Sequence, residues 1–140
     1  MTLLSNSFKY KNDQLYIEDV PAKTIAKKLG TPLYVYSKNH LVQQLNRLQN
    51  ALRPVDHLIC YAVKSNSNLS IMSALAQEGT GMDIVSGGEL YRCLQIDIPG
   101  SKIIFSGVGK TKTEIEDAID YRTTGIYSFN VESLAELKLI

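Results

Sequence analysis

The chain has 140 residues, fifteen Lys and Arg against fourteen Asp and Glu for a formal charge of +1, and is 44% apolar. That length allows one domain with a proper core, and the composition is that of an ordinary globular protein, not a disordered one. No basic block interleaved with aromatics and no apolar run of membrane-spanning length occurs, which leaves a small molecule as the expected partner in place of nucleic acid or membrane. The amino terminus lacks the basic start, apolar stretch and cleavage site of a leader, so the cytoplasm is the expected compartment. Cys60 and Cys93 show neither metal-ligand nor redox spacing and read as buried thiols; no metal site is expected.

In chain order, residues 8–17 alternate apolar and polar around Asn12-Asp13, the pattern of a hairpin. Pro21 opens a short helix with Ile25, Ala26 and Leu29 on one face, and Gly30 closes it. Residues 31–36, aromatic and β-branched, read as a strand. Ser37 caps a helix whose Leu41, Leu45, Leu48 and Leu52 form an apolar stripe. From Leu58 a regular rhythm begins: a strand over 58–63, then a helix over 69–78 with Leu69, Met72, Leu75 and Ala76 inward. A strand over 82–85 runs into Ser86-Gly87-Gly88-Glu89, a capping-box spacing that opens a helix with Leu90, Cys93 and Leu94 inward. A third strand over 102–106 precedes a second capping box, Thr111 with Glu114, whose helix carries Ile115, Ala118 and Ile119. A strand over 126–129 and a helix from about 132 complete four strand-then-helix units, the signature of parallel βαβ architecture. Four such units make half of an eight-stranded barrel, and Leu134, Leu137 and Ile140 are still laying down a helical stripe at the last residue. The chain therefore reads as the amino-terminal part of a longer polypeptide.

Lys64 stands where the run Leu58-Ile59-Cys60-Tyr61-Ala62-Val63 ends and the polar turn Ser65-Asn66-Ser67-Asn68 begins. That is the carboxyl end of a buried strand, the end at which parallel α/β sheets bind ligands, and a lysine there is a candidate nucleophile. The plainer reading is a solvated strand-end lysine. Asp83, an acid among Met82, Ile84 and Val85, is costly on a parallel strand unless paired; it is a partner for Lys64 if it faces the pocket, and a surface group if it does not. Glu89 reads first as a cap, and an anion at those helix amides would have to compete with it. Gly107-Val108-Gly109-Lys110-Thr111 suggests a phosphate loop, but the glycine such a loop needs is replaced by Ile104, and Lys112 replaces the third glycine of a dinucleotide fingerprint.

The residues also carry a family resemblance. Tyr61-Ala62-Val63-Lys64 with Asn66 and Asn68, then Asp83-Ile84-Val85-Ser86-Gly87-Gly88-Glu89-Leu90, Phe105-Ser106-Gly107-Val108-Gly109-Lys110-Thr111 and Phe129-Asn130-Val131-Glu132-Ser133 resemble the diaminopimelate decarboxylases, of the alanine-racemase-like group of pyridoxal-phosphate enzymes. Gly30-Thr31-Pro32-Leu33-Tyr34-Val35-Tyr36 extends the likeness over nearly the whole chain. The resemblance implies an α/β fold, a TIM-type β/α barrel joined to a β domain. Residues 1–36, with hairpin and strand, would associate with the β domain, and residues 37–140 would form the first half of the barrel. It implies pyridoxal 5'-phosphate as cofactor, held by Lys64 with Asp83 close to the linkage, and decarboxylation of meso-diaminopimelate to L-lysine by a homodimer when full length. The ring-stacking histidine, phosphate site, substrate arginines and catalytic cysteine would lie beyond Ile140, so the 140 residues alone are expected to be inactive. A decarboxylase for another basic amino acid, or a non-catalytic pyridoxal-phosphate barrel protein, are the competing readings.

Overall fold

The computed structural model describes residues 7–140; the first six, which belong to the expected segment 1–36 and to the reading of a missing leader, lie outside the described residues. The chain divides into two compact units, one ending at Ala51 and the other running from Leu52 to Ile140.

In the first unit β1 (Phe8–Lys11) and β2 (Gln14–Ile17) pair antiparallel, Phe8 opposite Ile17. Asn12 and Asp13 both take positive φ, 50° and 58°, which short polar side chains tolerate and a two-residue hairpin turn requires. The two-residue β3 (Val20–Pro21) pairs with β2 and leads straight into α1 (Ala22–Leu29), which ends at Gly30 with φ 82°. The strand expected over residues 31–36 does not form. A strand needs a ladder partner, the three-stranded sheet is made of β1, β2 and β3, and Tyr34 and Tyr36 are exposed. Ser37 caps α2 (Lys38–Leu52): its Oγ accepts from the His40 N–H and donates to Glu18 Oε1, while the Asn39 amide donates to the other Glu18 oxygen. Of the expected leucine stripe, Leu45 is buried and Leu48 is half-exposed.

The second unit is a parallel sheet in the order β4 (Cys60–Ala62), β5 (Gly81–Ile84), β6 (Ile103–Phe105), β7 (Ser128–Phe129). These strands are separated by α3 (Leu69–Gln77), α4 (Gly87–Gln95) and α5 (Lys112–Ile119), and α6 (Leu134–Leu137) follows the last. Each strand lies beside its predecessor, the progression the four-unit rhythm implies. The expected first strand is shorter than 58–63: Leu58 is exposed and precedes the ladder, and Val63 already belongs to a 3-10 turn.

Register sorts the side chains. Met82 pairs with Ile103, and Ile84 with Phe105; all four are fully buried and share one core with Met72 of α3, Leu90 and Cys93 of α4 and Ala118 of α5. One face of the sheet thus receives all these helices. The residues that alternate with it, Ala62, Asp83, Ile104 and Ser128, lie level across the four strands and are half-buried. The periodicity overstates three inward positions: Leu69, Leu94 and Ile119 are 37%, 42% and 48% exposed, because α3, α4 and α5 bury narrower stripes than their apolar residues span.

Thr111 and Glu114 form the reciprocal box at α5. At α4 half of the expected box forms: the Ser86 hydroxyl accepts from the Glu89 N–H, but the Glu89 carboxylate passes over Ser86 and accepts from the Val85 N–H at 2.8 Å. Glu114 links the two helices, because its Oε1 accepts from the Gly87 N–H at 2.7 Å while Oε2 takes the Thr111 N–H.

Candidate functional site

Lys64 lies in the 3-10 turn Val63–Ser65 directly after β4. The turn is tied at several points: the Ser65 hydroxyl lies 2.7 Å from the Ala62 carbonyl and 2.9 Å from the Tyr61 hydroxyl, and Tyr61 donates to the Asn66 carbonyl at 3.1 Å. Asn68 then caps α3 through the Ser70 N–H. Backbone on both sides of Lys64 is therefore held, while its side chain is exposed and enters no ion pair among the described residues. A primary amine that is unpaired, on a backbone that is fixed, suits covalent capture of a carbonyl group.

Asp83 sits level with Ala62, two residues before the position of Lys64. No Lys64–Asp83 ion pair forms; Asp83 Oδ1 instead accepts from the Ser106 hydroxyl at 2.5 Å, and Ser106 Oγ accepts from Asn130 Nδ2 at 2.9 Å. Ser106 and Asn130 each stand one residue past their strands, and their N–H groups prolong the ladder onto the Ile84 and Phe105 carbonyls. Three strands thus contribute one hydrogen-bonded row at the carboxyl end of the sheet. Asp83 was legible in the sequence as a costly acid, whereas Ser106 and Asn130 were not assigned a role. The available signal was parity: each lies two residues beyond a half-buried position, Ile104 or Ser128, and so belongs to the same face.

Cys60 is on that face as well, and burial, then the Asp83 charge, pushes its thiol above the ordinary value of 9.0. Cys93, on the helix side, is pushed up to about 12 by burial and next by Glu89. Both thiols are free; Cys93 is buried as expected, whereas Cys60 is only half-buried.

Lys110 has a different task from the phosphate contact its motif suggested. Its Nζ is fully buried and spends its three protons on the Gly107 carbonyl at 2.7 Å, the Asn130 carbonyl at 2.9 Å and Glu136 Oε1 at 2.7 Å. No donor remains for a phosphate. The hydrogen bond from Lys110 holds the Glu136 carboxyl below its ordinary value. Among the described residues a cleft of about 280 Å³ lined by Leu90, Tyr91, Leu94 and Tyr121 lies between α4 and α5, and neither Lys64 nor Asp83 lines it.

A free amine on a tied turn stands at the carboxyl end of a parallel sheet whose half-buried face carries an acid, the end at which such sheets bind ligands. Residues 38–140 match the family model described as pyridoxal-dependent decarboxylase, pyridoxal binding domain, and the chain belongs to that family. Pyridoxal phosphate is therefore its cofactor class, and the donor set found here, an unpaired primary amine after β4 and a half-buried carboxylate on β5, fits such a group. Among curated relatives, the chain is 47% identical over 135 residues to a diaminopimelate decarboxylase of Haemophilus influenzae, covering 96% of this chain and 32% of the relative. It is 45% identical over 132 residues to that of Pseudomonas fluorescens, covering 94% and 31%. The solved diaminopimelate decarboxylase of M. jannaschii in co-complex with L-lysine superposes with a TM-score of 0.90 at 38% identity, over 96% of this chain and 32% of that one. The chain thus spans about a third of the length of the relatives it matches.

Proposed function

We propose that the chain supplies the amino-terminal third of a pyridoxal-phosphate-dependent carboxy-lyase that converts meso-diaminopimelate to L-lysine. The observation that carries the reading is Lys64: an unpaired amine on a clamped turn, inside the stretch that matches the pyridoxal-binding model. The substrate assignment is supported by relatives named diaminopimelate decarboxylase at 45–47% identity.

In this reading the parallel sheet is the first half of a TIM-type β/α barrel over residues 37–140. The half-buried face of Ala62, Asp83, Ile104 and Ser128 becomes the barrel interior, since Met72, Leu90, Cys93 and Ala118 of the helices pack with Met82, Ile84, Ile103 and Phe105 on the other face. Residues 1–36 associate with a β domain, the full-length protein is a cytoplasmic homodimer, and the isolated 140 residues do not catalyse.

Pyridoxal phosphate, when bound, supplies an aldehyde for amines and a ring that takes up the electron pair left when carbon dioxide departs. Lys64 would hold it through Nζ, and that amine, when not so engaged, would be free to take or return a proton. Tyr61 and Ser65 keep the lysine's backbone in place. Asp83 would supply a carboxylate on the same half-buried face to balance positive charge near the cofactor.

Borohydride reduction of the full-length protein loaded with pyridoxal phosphate, followed by peptide mapping, tests the assignment. The pyridoxyl mass is expected on Lys64; finding it on another lysine overturns the reading.

A further inference from the structure

Asp83 has two carboxylate oxygens, and the row that reaches it engages one of them. The direction of every bond in that row is set by valence. An ionised carboxylate only accepts, so the Ser106 hydroxyl must give its single proton to Oδ1; its oxygen can then only accept, and the Asn130 side chain, which reaches it at 2.9 Å, must present its NH₂. The row therefore runs amide to hydroxyl to carboxylate and cannot reverse while Asp83 is charged.

Its far end is anchored. The Asn130 N–H is in the ladder with Phe105, and the Asn130 carbonyl accepts from Lys110, the buried amine whose other protons go to Gly107 and Glu136. Ser106 is likewise fixed by its N–H on Ile84. An Asp side chain turns readily about its last bond, and here a hydroxyl whose own backbone is pinned stops that turn.

We propose that Ser106 and Asn130 are positioning residues for Asp83: the hydrogen-bonded row across β5, β6 and β7 sets the rotation of the carboxylate and reserves Oδ2 for the positive charge at the nitrogen that joins Lys64 to its cofactor. The inference rests on the assignment of Lys64 and Asp83 made above. The other titratable group on this face of the neighbouring strand is Cys60, whose thiol burial, and then the Asp83 charge, pushes above its ordinary value. The β6 side contributes Ile104 and Ser106, which carry no charge. Glu89, at the start of α4, is tied to the Val85 N–H.

The test uses the full-length protein loaded with pyridoxal phosphate and follows the absorbance of the lysine-linked cofactor as the pH is raised. A correctly aimed carboxylate keeps the linking nitrogen protonated to higher pH. Ser106→Ala is expected to lower the midpoint by roughly half a pH unit or more, Asn130→Ala to lower it by less, and Ser106→Thr, which keeps the hydroxyl, to restore it. In an Asp83→Asn background Ser106→Ala should move the midpoint no further, because the row then has no carboxylate to aim. An unchanged midpoint in Ser106→Ala, or an equal shift with and without Asp83, overturns the proposal. Should Ser106→Ala not fold, Asn130→Ala reads the same row from its other end. Reductive labelling on the same samples separates the two levels: label on Lys64 with an unmoved midpoint refutes the positioning role alone, and label elsewhere refutes both.

Discussion

Lys64 and Lys110 are both lysines after strands, and their surroundings are opposite, one exposed and the other enclosed. Lys64 is exposed and its amine has no partner among the described residues, so Lys64→Ala removes a primary amine and little packing. It should abolish the reductive label while shifting the urea midpoint by no more than about 0.5 kcal/mol in stability. Lys110 is enclosed, and Lys110→Ala strands three acceptors, one of them a carboxylate. Its urea midpoint should fall several times further than that of Lys112→Ala, which breaks an exposed pair with Glu116 at 3.6 Å. The thiols divide by burial: Ellman's reagent should reach Cys60 before Cys93, whose side chain is fully buried and whose thiolate is strongly disfavoured.

Among the elements, the start of α5 is tied both to itself and to the start of α4. Thr111 accepts from the Glu114 N–H, and Glu114 returns to the Thr111 N–H and reaches across to Gly87 at the start of α4. Thr111→Ala should cost about 1 kcal/mol in chemical denaturation. The same contacts give a pH dependence. The Gly87 N–H first, and then the Thr111 N–H, hold the Glu114 carboxyl below its ordinary 4.5, and Lys110 does the same for Glu136. For a group lowered in the folded state, the stabilisation is fully present above the unfolded value and is lost as pH falls through the folded one. Thermal stability should thus hold from neutrality to about pH 5 and decline below 4.5, and Glu114→Gln should flatten part of that decline.

For the molecule as a whole, the parallel unit closes tightly at the amino end of its strands and carries Lys64 and the Asp83–Ser106–Asn130 row at the carboxyl end. A Cβ on Gly100 would come within 1.8 Å of the Gly125 carbonyl oxygen, so two connecting loops meet there backbone to backbone. Gly100→Ala should fail to give a cooperative melt, whereas Gly109→Ala, with open space around it, should melt like the parent. Gly81 is similarly confined, by the Lys102 carbonyl at 2.6 Å and Cys60 Sγ at 2.8 Å. The opposite end is free of such crowding around Lys64, which is exposed.

Much of this was legible before any coordinates, because it depends on neighbours in sequence. The four strand-helix units follow from periodicity, the hairpin from Asn12-Asp13, the cap of α5 from Thr111 and Glu114 three apart, and the place of Lys64 from an apolar run that stops. What the residues alone left open depends on pairing partners distant in sequence. Residues 31–36 have the composition of a strand but find no ladder among the described residues. Leu69, Leu94 and Ile119 fit a helical stripe but miss the buried part of it. Whether Asp83 faced a pocket or solvent could not be read from its own neighbourhood. Register places it on the half-buried face, through pairing with Ala62 and Ile104, and brings Ser106, twenty-three residues away, to its carboxylate. The same reason separates Lys110 from the loop motif it imitates: Gly107 lies nearby in sequence, but Asn130 and Glu136 reach its amine only through the parallel pairing of β6 with β7.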